Sequence, residues 1–316
     1  MAWMDKQNLT MLNEFILMGI TDRPELQAPF FGLFLIIYVI SVVSNLGMII
    51  VTKMDSRLKT PMYFFLRHLA FIDLGYSTAV GPKMLANFVV NQNIIPYHWC
   101  AIQLAFFIMF IISELFVLSA MAYDRYVAIC NPLLYKIIMS QRVCWGLVVV
   151  PYLYSAFLSL LTTIKIFISS FCGYNVVSHF YCDSLPLLTL LCSSTHDVEL
   201  MILISSAFNL VSSLLIVLVS YMLILAAILR MNSAEGRYKV FSTCGSHLTV
   251  VFVLYGTLFF TYVKPKSSHS FDTDKMASVF YTVIIPMLNP LIYSLRNKEV
   301  KGALYRIWKN LSKSSI

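Results

Sequence analysis

The chain has 316 residues, of which 59% are hydrophobic and only 12% charged. That makeup excludes a water-soluble globule of ordinary composition and points to a polytopic membrane protein. Its formal net charge of +8 suits anionic lipid and a cytosolic partner, not nucleic acid.

About 20 apolar residues are needed to cross the hydrocarbon of a bilayer. Seven stretches meet that requirement: 28–52, 61–85, 99–130, 143–164, 198–230, 238–263 and 274–296. Residues 1–27 precede them and contain Asn8-Leu9-Thr10, a glycosylation acceptor usable only on the lumenal side. The first stretch is too long for the core of a signal peptide and lacks a small-residue cleavage site, so it is expected to remain as the first span.

The second and third spans contribute Asp73 and Glu114, the only acids deep within the apolar segments. With no basic residue at comparable depth, each must be neutralised by a proton or a bound cation. Residues 101–113 of the third span carry no charge, which disfavours an amine ligand, and Phe107, Ile108, Ile111 and Ile112 share one helical face. The span closes with MAYDRYVAIC, which sets Asp124 and Arg125 at its inner boundary. Charge there costs a few kcal/mol unless paired or snorkelled, so the two read either as an interfacial anchor or as an ion pair that can open.

Residues 165–197 form the one long connection and hold Cys172, Cys182 and Cys192, with Cys100 at the outer start of the third span. Four cysteines in an oxidising setting give two bridges in three possible pairings. Cys130, Cys144 and Cys244 lie in or beside segments facing the other side and read as reduced, either packing residues or lipidation candidates. In the last span, Pro290 of NPLIY removes a backbone hydrogen bond and leaves the helix bendable. Residues 296–313 carry six basic side chains, with Leu304, Ile307, Trp308 and Leu311 at helical spacing. An amphipathic helix along the inner membrane surface is expected there.

Seven spans put the termini on opposite sides. Sixteen of the 23 basic residues fall on the side of the C-terminal tail, which predicts that side to be cytoplasmic and the N-terminus extracellular, in a plasma-membrane protein. No Gly/Ser linker or repeat divides the chain, so 1–316 reads as one domain, with a bundle over 28–296 and a tail over 297–316.

Six segments carry a resemblance: SNLG at 44–47, LKTPMYFFLRHLAFID at 58–73, MAYDRYVAICNPLLY at 121–135, SY at 220–221, KVFSTCGSHLTVV at 239–251 and PMLNPLIYSLRNKEV at 286–300. In this order, over nearly the whole chain, they resemble a rhodopsin-like G-protein-coupled receptor, and within that group a vertebrate olfactory receptor of the larger, tetrapod class (class II). The departures are LYGT at 254–257 in place of FYGT, and Arg67-His68 where smaller polar residues are common.

The resemblance implies an all-α membrane protein, a seven-transmembrane bundle with a short amphipathic C-terminal helix. It also implies the bridges Cys100–Cys182 and Cys172–Cys192. Asp73 and Glu114, with Asn45, Ser119 and Asn289, resemble a sodium site that would favour inactive packing; protonated, hydrogen-bonded acids are the alternative. An activation set of Asp124, Arg125, Tyr221, Asn289, Pro290 and Tyr293 is implied, both tyrosines swinging toward Arg125 once Asp124 releases it. Ser205, Ser206, Asn209, Tyr255, Leu258, Phe259 and Tyr262 join the Phe107 face as a ligand wall for a small volatile odorant.

Arg125, Tyr221, Lys239 and the loop 131–141 would border a cleft for a stimulatory olfactory-type G protein that raises cyclic AMP. His179 to Asp183 matches a copper pattern proposed in this family, but a bridged Cys182 offers no thiolate, so a structural loop histidine is expected. An enzyme is not expected, since GxSxG and HExxH are both absent, and no inverted repeat suggests a transporter. The rival reading is a receptor of this class for a non-volatile metabolite sensed outside the nose.

Overall fold

In a computed structural model of the chain, the described residues are 13–21, 23–90, 93–172, 175–192, 195–230, 233–262, 271–296 and 298–314. The Asn8 acceptor lies outside them, as do the side chains of Lys239, Tyr262, Ile307, Trp308 and Leu311.

Helix α1 (Pro24–Met54) opens on a proline, whose missing N–H would have had no helical partner anyway. It ends at Asp55, whose carboxylate accepts from the Arg57 amide at 2.9 Å and caps a short 3-10 turn, Ser56–Leu58. Helix α2 (Pro61–Val89) begins the same way. There follow α3 (Tyr97–Cys130), the loop helix α4 (Tyr135–Ile138), α5 (Gln141–Ile168), a second loop helix α6 (Ser184–Leu188), α7 (His196–Leu229) and α8 (Ala234–Tyr262). The last long helix is built from α9 (Phe271–Val279), a widened π turn (Phe280–Ile284) and α10 (Ile285–Arg296), and α11 (Lys298–Ser314) follows it.

Among the described residues, α1, α3, α5, α7 and residues 275–294 are long and apolar enough to cross a membrane. Helices α2 and α8, at 29 residues each, are long enough as well but carry more polar side chains. Arg67, His68, Asp73 and Lys83 lie on α2, and Glu235 and Arg237 on α8. Helix α3 is the axis of the bundle, packed on α2, α5, α7 and α8, while α10 closes the ring against α1, α2 and α8. The outward faces of α1, α5 and α7 are studded with exposed Leu, Ile, Val and Phe, as lipid requires.

Arg67 and His68 both find partners at the tail end of the bundle. The Arg67 guanidinium donates to the Thr52 carbonyl at 2.5 Å, tying α2 to the end of α1. His68 packs between Phe64, Trp145 and Tyr152.

The opposite end of the bundle carries a small β-sheet that the all-α expectation did not include. Strands β1 (Glu14–Leu17), β2 (Ile94–Pro96) and β3 (Val176–Val177) form a sheet in the order β2-β1-β3, antiparallel to β2 and parallel to β3. Alternation along β1 turns Phe15 and Leu17 inward. Phe15 meets the rings of Tyr97, Phe167 and Phe171, with centroids 5.8, 6.4 and 5.2 Å away. The N-terminal segment is thereby fastened to both neighbouring loops.

At the tail end, α11 buries Val300 and Ala303 and leaves Leu304 and Tyr305 exposed. Arg306 reaches back to Asp55 in a 2.6 Å ion pair. Hydrogen bonds from Arg306, and from the Arg57 amide, hold the Asp55 carboxyl below the usual carboxylate range.

Candidate ligand pocket and switch

A cavity of about 70 Å3 lies in the sheet-end half of the bundle. Helix α3 supplies Phe107, Ile108, Ile111, Ile112 and Leu115; α5 adds Leu158 and Thr162; α8 adds Leu258; and Ser184 of α6 faces it from the loop. The polar side is α7, where Ser205, Ser206 and Asn209 line the wall beside Ile202 and Leu210. Tyr154 donates to Asn209 Oδ1 at 2.9 Å, which fixes the amide's orientation and leaves its NH2 for an acceptor. Mostly hydrocarbon walls with this amide and the nearby hydroxyls of Ser206 and Thr162 hold a ligand by burial and orient it by a few hydrogen bonds.

The long loop closes over this cavity. Both implied bridges, Cys100–Cys182 and Cys172–Cys192, are formed. Gln103 accepts from the Cys182 amide and donates to the Ala79 carbonyl, both at 2.9 Å, locking the loop to α3 and α2. Beyond the bridge, His179 Nε2 pairs with Ser278 Oγ at 3.1 Å, Ser278 with Tyr281 at 2.8 Å, and Tyr281 with Tyr181 at 3.1 Å. Burial, with Lys275 nearby, pushes His179 down to about 3, so it is neutral at physiological pH. Cys182 is bridged and offers no thiolate, and the His179 ring is held in this hydrogen-bonded chain between the loop and the last helix.

Halfway along the bundle, Asn289 Nδ2 donates to Asp73 Oδ1 and Oδ2 at 3.1 and 3.0 Å and to Glu114 Oε1 at 3.2 Å. Three buried oxygens in this layer have no hydrogen-bond partner: Glu114 Oε2, Asn289 Oδ1 and Asn45 Oδ1. Asn45 joins α1 to the last helix by donating to the Pro286 carbonyl at 2.9 Å.

Toward the tail end, Asp124 accepts from the Tyr135 hydroxyl at 2.8 Å. Burial, and then Asp124 itself, raise the Tyr135 phenol above its ordinary range, so it serves as a steady donor. Arg125 and Tyr293 are buried nearby. Tyr221 is held by His247, at 2.7 Å to Nδ1, while His247 Nε2 lies 3.0 Å from the Leu118 carbonyl. A carbonyl can only accept, so Nε2 carries the proton and Nδ1 takes the tyrosine's. One imidazole thus staples α3, α7 and α8 together beside Arg125.

A family model of the olfactory receptors matches residues 34–311. The chain belongs to the olfactory receptor family. Among curated relatives it is 75% identical over 308 residues to olfactory receptor 8K3 of Homo sapiens, covering 98% of each chain. It is 68% identical over 307 residues to human olfactory receptor 8K5, covering 97% of this chain and 100% of the relative. To olfactory receptor 8U3 of Mus musculus it is 61% identical over 300 residues, covering 95% and 94%. This olfactory receptor is therefore a multi-pass membrane receptor and not an enzyme.

Eight side chains expected in the olfactory receptor's ligand wall line the cavity: Phe107, Ile108, Ile111, Ile112, Ser205, Ser206, Asn209 and Leu258. Tyr255 lies outside that lining, with its hydroxyl donating to the Leu115 carbonyl at 3.4 Å. Phe259 is not part of the wall; it is 63% exposed on the outer face of α8, one residue past the inward-facing Leu258. Ser119 stands apart from the acids, donating to the carbonyls of Leu115 at 2.8 Å and Ser213 at 3.0 Å. Tyr154, Leu158, Thr162, Ser184 and His247 were absent from the expected sets, and Tyr135 entered them only as part of the loop 131–141. A usable signal existed for the first three, since 154, 158 and 162 recur every four residues on one face of α5.

Proposed function

We propose that this olfactory receptor binds small, mostly apolar volatile molecules carrying one hydrogen-bond acceptor, and answers by activating a stimulatory olfactory-type G protein that raises cyclic AMP. The observation that carries the ligand class is the pairing of a mostly apolar cavity with the Asn209 amide NH2, beside the hydroxyls of Ser206 and Thr162. The G protein's C-terminal helix would enter at the tail end, beside Arg125 and Tyr221, after α8 swings away. In this reading the sheet end is extracellular, the tail end cytoplasmic, and α11 rests on the inner surface of the plasma membrane.

A sodium ion fits the middle layer as a negative modulator. Hard cations take oxygen ligands, and Asp73, Glu114, Asn289 and Asn45 all present oxygens there, three of them without a hydrogen-bond partner. Bound sodium would supply the neutralising charge and hold the helices in inactive packing.

The test is cyclic AMP accumulation in cells expressing the tagged chain, against volatile alcohols, aldehydes, ketones and esters alongside non-volatile metabolites. A volatile agonist is the expected result. A well-expressed receptor that answered only a non-volatile metabolite would overturn the ligand assignment and favour the rival receptor.

Asn209→Leu should weaken the response to carbonyl or hydroxyl agonists about three- to tenfold in half-maximal concentration, the worth of one ordinary hydrogen bond. Apolar analogues of the same shape should shift far less. Equal shifts for both classes would make Asn209 a packing residue.

A further inference from the structure

A larger groove, of about 670 Å3, lies between α2 and α3 on the outward face of the bundle. It begins near Phe71 and Phe110 at mid-depth and ends at Lys83 and Trp99 beside the sheet. Its floor exists because residue 75 has no side chain: a Cβ there would come within 2.3 Å of the Phe110 ring.

The polar groups of the wall are already spent within the protein. Thr78 donates to the Leu74 carbonyl at 2.7 Å, and Gln103 is used at both ends by Ala79 and Cys182. The exceptions are both at the rim: the indole N–H of the exposed Trp99, and Lys83, which spends one of its three donors on the Ile94 carbonyl at 2.7 Å and makes no ion pair among the described residues. A groove dry along its length and cationic at its rim matches a molecule with a hydrocarbon chain and an anionic head.

The dimensions agree. At 1.5 Å per residue, Phe71 to Lys83 spans about 18 Å, slightly more than one leaflet of a ~30 Å hydrocarbon core. From Pro61, where α2 enters the bundle at the tail end, Lys83 lies about 33 Å along the axis, at the level of the opposite headgroups. The exposed indole of Trp99 marks that same interface.

We propose that the α2–α3 groove binds a glycerophospholipid of the leaflet at the sheet end, with one acyl chain between the helices and the phosphate paired with Lys83. The site is separate from the ligand cavity, which opens on the opposite face of α3 between α5 and α7.

The experiment uses the full chain in nanodiscs, with phosphatidylglycerol carrying a photoactivatable group on its acyl chain, and diacylglycerol with the same chains. Crosslinked peptides are mapped by mass spectrometry, and groove labelling is normalised to labelling on the outward faces of α5 and α7. The phospholipid should label groove residues about fivefold more than the diacylglycerol, the contribution of one cation at an anionic surface. Lys83→Met should erase that preference. Thr78→Trp, a change at a lipid-facing position, should fill the groove and reduce labelling by both probes. Equal labelling of wild-type protein by the two probes, or a preference that survives Lys83→Met, would overturn the proposal.

Discussion

Arg125→Ala should abolish ligand-driven cyclic AMP while leaving most of the receptor at the cell surface. The side chain is buried at the tail end of α3, beside the His247 staple that joins α3 to α7 and α8. A cleft opened at this end by movement of α8 would expose this guanidinium, and no other described cation is buried at that depth. Folding should tolerate the change because Asp124 has its own hydrogen bond from Tyr135, so removing Arg125 does not leave that carboxylate bare. The expected fall is well beyond tenfold in maximal response, read as cyclic AMP normalised to surface receptor by flow cytometry. An unaltered dose-response curve would remove Arg125 from the mechanism.

The second large effect is expected from Cys100→Ser, and it should appear in abundance rather than signalling. The Cys100–Cys182 bridge closes a sequence separation of 82 residues, against 20 for Cys172–Cys192. Loss of a native disulfide in an oxidising compartment typically costs about 2–5 kcal/mol, and the chain-entropy model makes the longer loop the costlier by about 1 kcal/mol. Against a typical stability of about 5–15 kcal/mol, that is enough to divert much of the protein to degradation. Surface levels should therefore fall several-fold for Cys100→Ser and less for Cys172→Ser. The reverse order would show that the local bridge, not the one to α3, sustains the lid.

The helices were readable because crossing a bilayer leaves a strong mark on sequence. The expected span 99–130 meets α3 at Tyr97–Cys130, and 198–230 meets α7 at His196–Leu229. What escaped was structure fixed by partners far away in the chain. Four residues from Glu14 to Leu17 carry no strand signal of their own, and become one because Ile94–Pro96 and Val176–Val177 arrive on either side. The pocket shows the same division. Residues on α3 were found from one helical face, whereas Ser184 enters only because Asp183 caps a short loop helix with its carboxylate. Phe259 was misplaced because, about 100° further round the helix than the buried Leu258, it falls on the exposed side of α8.

The widened turn at Phe280–Ile284 brings that same angle to bear on the last helix. A π turn accommodates one residue more than α-geometry would, and so offsets the phase of everything after it by about 100°. Ser278 and Tyr281, before and within the turn, are aimed at the lid, while Asn289, after it, is aimed at Asp73 and Glu114. A single helix thus serves two layers that a uniform spiral would not bring into line. Its sensitivity is to length more than to side-chain identity: deleting one residue from this turn would rotate the carboxylate clasp away from its acids while leaving every side chain in the helix chemically unchanged.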